Sequence, residues 1–156
     1  MQTRLAAAIT LFLGLSTAAH ADILKAVTFA LDAVGSSRSL MPLTGAAATS
    51  VSFSIPGYQS RKIAIAYSAS CGAAGPVNGF IDIDIVVDGL EISPTNTSGE
   101  AFCGADQTLA LDTLARATII GVKNLTPGQH TVEVYAEALG GATQFQLGYA
   151  TLLIQD

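Results

Sequence analysis

The stretch Ile81-Asp82-Ile83-Asp84-Ile85-Val86-Val87-Asp88-Gly89-Leu90-Glu91-Ile92 decides the fold. Isoleucines at every second position, separated by aspartates, are the mark of a strand with one buried and one polar face. A helix would scatter them around its circumference. Asp88-Gly89 then supplies two residues that tolerate positive φ, the strongest short signal for a two-residue hairpin turn. The segment therefore predicts a strand, a tight turn and a second antiparallel strand.

The same period of two recurs on either side. Val27, Phe29 and Leu31 alternate with small residues, as do Val51, Phe53 and Ile55 before Pro56-Gly57. Ile63, Ile65 and Tyr67 alternate with Ala64, Ala66 and Ser68. Val132, Val134 and Ala136 alternate with Thr131, Glu133 and Tyr135, and Phe145, Leu147 and Tyr149 with Gln144, Gln146 and Gly148. Thr126-Pro127-Gly128-Gln129 has proline and glycine at the central positions of a type II turn. Gly140-Gly141 divides the last two runs. Parity changes between Tyr149 and the Leu152/Ile154 pair, which predicts a bulge near Ala150-Thr151. Residues 108–112 and 117–123 read as further strands, whereas 32–50 and 93–107 read as loops. Eight or so short strands without a helix predict an all-β, two-sheet antiparallel sandwich of the jelly-roll kind.

Residues 1–21 have the three-part order of a secretory signal peptide. Arg4 is followed by an apolar run from Leu5 to Leu15, and Ala19-His20-Ala21 places small residues before a cut at Ala21-Asp22. The run is shorter than the ~20 residues a spanning helix needs, and no later run could cross a membrane as a helix. Residues 22–156 are then a single exported domain, secreted, periplasmic or at the cell surface.

Removing Arg4 takes the formal charge from −5 to −6, a balance that repels phosphates and excludes nucleic acid as a partner. Charged residues are 12% of the chain, about half the usual ~25%. Such a weakly charged surface suits packing against copies of the same chain or against a matrix. Cys71 and Cys103 are the two cysteines. In an oxidising compartment they are expected to pair, closing a loop of about 33 residues and contributing roughly 3–4 kcal/mol.

Few residues point to chemistry. Asp82, Asp84 and Asp88, with Glu91 across the turn, are weak candidates for a Ca²⁺ site, since hard carboxylate oxygens converge there. Their spacing fits no EF-hand, and a solvated strand face that discourages edge pairing accounts for them more simply. As neighbours on one face they do not form the opposed pair a glycosidase needs. His130 is the only histidine after the signal segment, and no Gly-x-Ser-x-Gly elbow accompanies it. Neither a catalytic residue nor a cofactor is assigned. Tyr135 falls on the polar parity of its strand as a possible sugar platform. Asn96-Thr97-Ser98 and Asn124-Leu125-Thr126 match glycosylation acceptors, relevant to a eukaryotic source.

Ile85-Val86-Val87-Asp88-Gly89, the Ser93-Pro94-Thr95 loop and the run from Leu125 to Val134, with its Leu-x-Pro-Gly-x-His-x-Val pattern, resemble small secreted bacterial β-sandwich proteins. They are also similar to tumour-necrosis-factor-like jelly rolls. The resemblance covers about residues 50–156 and implies a binding or assembly module with no catalytic residue. Donor-strand pilin subunits agree in length and disulfide count, but carry their first cysteine nearer the mature N-terminus than Cys71.

The functional expectation is an exported, non-enzymatic structural or adhesive component of a cell envelope, matrix or appendage, with self-association or another surface component as partner. Val27, Phe29 and Leu31 form the strand expected either to close its own sheet or to be donated to a neighbour. A carbohydrate- or Ca²⁺-dependent binding module and a small secreted hydrolase are the alternatives.

Overall fold

The alternating runs become paired strands in the computed structural model, which describes residues 21–44, 48–92, 101–105 and 114–156. The elements are β1 (Ile23–Phe29), β2 (Ala33–Gly35), β3 (Ser39–Leu40), β4 (Ser50–Ile55), β5 (Arg61–Ala74), β6 (Phe80–Val87), β7 (Leu90–Glu91), β8 (Cys103–Gly104), β9 (Ala115–Leu125), β10 (Gly128–Leu139) and β11 (Gln144–Gln155). Residues 1–20 of the predicted signal segment, the 93–95 loop, Asn96 and the predicted strand over 108–112 lie outside the described residues.

Two antiparallel sheets face each other. Sheet 1 runs β1-β11-β5-β9, with β2 beside β1 on the same edge of β11; sheet 2 runs β3-β10-β6-β7, with β4 beside β3 and β8 beside β7. Three of the edges are therefore interrupted strands. Counting β1/β2, β3/β4 and β7/β8 each as one, the orders become first-eighth-third-sixth facing second-seventh-fourth-fifth. This is the two-Greek-key connectivity of a jelly roll, so the fold expectation holds. The short strands β2, β3 and β8 fall in stretches expected to be loop. Two or three residues of pairing, as in Ala136 with Ser39 or Phe80 with Gly104, leave no periodicity to read.

The inward residues are those the alternation picked out. Ile63, Ile65, Tyr67, Ile81, Ile83, Ile85, Val132, Val134, Phe145, Leu147, Leu152 and Ile154 are all fully buried between the sheets. At roughly 1.5–3 kcal/mol for each large apolar side chain taken out of water, this layer is the main favourable term. It is close-packed: Gly121 on β9 faces inward, where a Cβ would run into the Ile92 side chain. The Tyr67 hydroxyl is buried among these groups without a hydrogen-bond partner among the described residues, and burial pushes its pKa up.

Asp88 (φ 53) and Gly89 (φ 78) both adopt the left-handed conformation, as the two-residue turn between β6 and β7 requires. The bulge in β11 sits at Tyr149, one residue before the expected place. Gly148 pairs with Ser70 and Ala150 with Ala69, so Tyr149 is the extra residue. Its side chain is 68% exposed instead of continuing the inward set of Phe145 and Leu147. Cys71 on β5 and Cys103 on β8 form the disulfide, with Cα atoms 6.2 Å apart, and tie sheet 1 to the edge of sheet 2.

Candidate functional site

The acidic constellation divides into two unrelated groups. Asp82 and Asp84 share the outer face of β6, opposite Glu137 and Tyr135 of β10. The expectation of a solvated face is corrected here, because Asp82 is buried and the Asp84 side chain only 16% exposed. Arg38, from the segment before β3, covers part of this face. Its guanidinium donates to Asp84 Oδ2 at 2.9 and 3.1 Å and to Glu91 Oε1 at 2.6 Å, and its Cζ lies 4.2 Å from the centre of the Tyr135 ring. Tyr135, the platform expected from parity, is thus capped by a cation and is half-buried. Arg38 sits in an irregular stretch with no periodic signal, so its place on Tyr135 has no local signature.

Asp88 faces away from that group. Its Oδ1 accepts from the Thr131 backbone N–H at 2.9 Å, and its Oδ2 lies 2.7 Å from His130 Nδ1. His130 Nε2 lies 2.8 Å from the Thr126 carbonyl, and the ring packs against Phe53 at a centroid distance of 5.6 Å. Burial works against the imidazolium, but the Asp88 carboxylate and the Thr126 carbonyl prevail over it and over Lys123, so the His130 pKa is raised. Both partners are acceptors, which favours the imidazolium over the neutral ring, and the arrangement works as a clamp joining the β6–β7 turn to β10. No group of three metal-ligating side chains that could hold an ion occurs among the described residues.

Val27, Phe29 and Leu31 lie at the sheet 1 edge of their own chain. Val27 pairs with Leu152 and Phe29 with Ala150, and Phe29 and Leu31 are buried in the core. The long edge left open is on the other side of sheet 1. β9 pairs with β5 from Arg61–Leu125 to Cys71–Ala115, and its other side meets no strand among the described residues. It is eleven residues long, Ala-Arg-Ala-Thr-Ile-Ile-Gly-Val-Lys-Asn-Leu, with no acidic residue. Such an edge presents a row of backbone donors and acceptors to any strand that can lie alongside. The outer face beside it is uncharged across the sheet's centre. Ala26, Leu153, Ala66 and Ile120 form one cross-strand row, and Thr28, Thr151, Ser68 and Thr118 the next. In the second row Thr28 and Thr151 hydroxyls lie 3.3 Å apart and Thr118 donates to Ser68 at 2.9 Å. Residues 117–123 were legible as a strand, but that it is an edge depends on topology and has no sequence signature.

No protein-family model matches the chain, and no curated protein matches it. Among solved structures, dimeric latent PorU from Porphyromonas gingivalis is similar at 12% identity and a TM-score of 0.39, over 89% of this chain and 14% of that one. The chain thus spans a small part of PorU. A family 35 carbohydrate-binding module from Clostridium thermocellum is similar at 14% identity and a TM-score of 0.37, over 82% of this chain and 97% of the module.

Proposed function

We propose that the protein is an exported, non-enzymatic, self-assembling β-sandwich of the cell envelope, matrix or appendage, and that assembly proceeds by pairing of β9 with β9 of a second copy. The observation that carries this reading is the continuous eleven-residue edge of β9, which meets no second strand among the described residues, set against three edges that among those residues run as short pieces. Interruption is a common way of blunting an edge; β9 lacks it. The charges support the same partner. A strongly acidic chain repels its copies, and β9 carries only Arg116 and Lys123. In an antiparallel two-fold pair centred on Ile120, Arg116 lies opposite Asn124 and Lys123 opposite Ala117, so like charges do not meet. Backbone hydrogen bonds supply the attraction in strand addition.

Sedimentation equilibrium of residues 22–156 tests the reading. The expected result is a reversible dimer or larger species that Ile120→Lys converts to monomer, because the two lysines would face each other at the two-fold. Ile120 is 51% exposed, so the variant keeps the fold. A monomer for the wild type at all concentrations, or an oligomer unaffected by the substitution, would count against it.

A further inference from the structure

We infer that the shallow cleft at the β11 bulge binds a neutral pyranose residue of a polysaccharide, with Tyr149 as its stacking platform. The bulge sets Tyr149 apart from the inward-facing set of β11, and its side chain lines a cavity of about 380 Å³ with Leu31, Asp32, Leu114, Gln146 and Gly148. That volume lies at the small end of ligand pockets and suits one sugar ring. Gly148 leaves the floor open: a Cβ there would approach Leu114 Cδ1 to 3.3 Å. A β-bulge re-aims a side chain, and here it sets a phenol ring, 68% exposed, beside an apolar wall. A pyranose offers the matching surface, with axial C–H groups on one face and hydroxyls around the rim.

The polar groups select the same chemistry. Gln146 Nε2 donates to Asp32 Oδ1 at 3.3 Å. This bond orients both side chains and leaves the second carboxylate oxygen and the amide oxygen as acceptors. A ligand there must donate hydrogen bonds, as vicinal hydroxyls do. The Asp32 charge disfavours uronic acids and sulfated sugars. The cleft lies on the outer face of sheet 1 at the break between β1 and β2, with Leu114, the residue before β9, reaching over Gly148, so its test is separated from that of the proposed assembly.

Affinity gel electrophoresis against a panel of soluble neutral polysaccharides (β-glucan, xylan, galactomannan and galactan), with alginate and polygalacturonate as anionic controls, tests the inference. It is run on the wild type and on the Ile120→Lys variant, so that failure of assembly and failure of sugar binding read out separately. At least one neutral polymer should retard both proteins. Tyr149→Ala should weaken that retardation at least tenfold and Asp32→Asn several-fold, with Tyr58→Ala, at a fully exposed tyrosine outside the cleft, as an unaffected control. Circular dichroism of Tyr149→Ala checks the fold, and Gln146→Ala provides a second variant. No retardation by any neutral polymer, retardation by the anionic polymers alone, or undiminished binding by both Tyr149→Ala and Gln146→Ala would overturn the inference.

Discussion

His130 Nδ1 lies 2.7 Å from Asp88 Oδ2, joining the turn after β6 to the start of β10. The contact shifts both groups: the His130 pKa is raised, and the Asp88 pKa is lowered because hydrogen bonds from His130 and Thr131 outweigh the burial that opposes them. The stability owed to His130 is complete below the ordinary imidazole value of about 6.5 and is lost as pH rises through the higher folded value. The share owed to Asp88 is present above the ordinary carboxylate value of about 4 and is lost as pH falls through the lower folded value. The clamp is therefore fully formed between about pH 4 and 6.5. His130→Gln should melt about 3–5 °C below the wild type at pH 5.5, corresponding to ~1 kcal/mol or less because the Asp88 side chain is 42% exposed. The gap should narrow by pH 9, as followed by thermal melts across pH.

The Cys71–Cys103 bond fixes β8, a strand of only two residues, against β5 and β6. Intact-mass analysis after alkylation without reductant should show no free thiol. The double Cys→Ser variant should lose about 3–4 kcal/mol of stability in urea, the chain-entropy value for a loop of this length.

Phe29 is 5% exposed at the outer edge of sheet 1. Phe29→Ala should cost about 3–5 kcal/mol. Deleting residues 22–34 should destabilise the isolated domain by a similar or larger amount, since Leu31 is lost as well. A truncated chain of unchanged stability that no longer assembles would instead show that the strand is donated to a neighbour.

Asp84 is engaged by Arg38 and Asp88 by His130 and Thr131. Melting in excess EDTA and in millimolar Ca²⁺ should therefore agree within a few degrees. A rise above ten degrees with Ca²⁺ would restore the acidic residues as a metal site.

The core and the hairpins were legible because they are local. Isoleucine at alternate positions reports burial directly, and Asp88-Gly89 reports a turn. What was not legible depends on contacts far apart in the chain. Nothing near Arg38 predicts that it lies over Tyr135 and between Asp84 and Glu91. Asp82 looked solvated because parity gives the face of the sheet but not what covers that face. The parity change after Tyr149 announced a bulge, yet which residue was extra, and hence which side chain was exposed, depended on the register with Ser70 and Ala69. That β9 ends its sheet among the described residues follows from strand order alone.

Pairing of β9 with β9 of another copy is readable by amide hydrogen exchange along Ala115–Leu125. The alternate β9 amides that point away from β5 have no partner strand among the described residues. They should exchange slowly at high protein concentration and much faster on dilution, while the amides bonded to β5 stay protected throughout. Fast exchange of those outer amides at every concentration, with self-association still present, would contradict it.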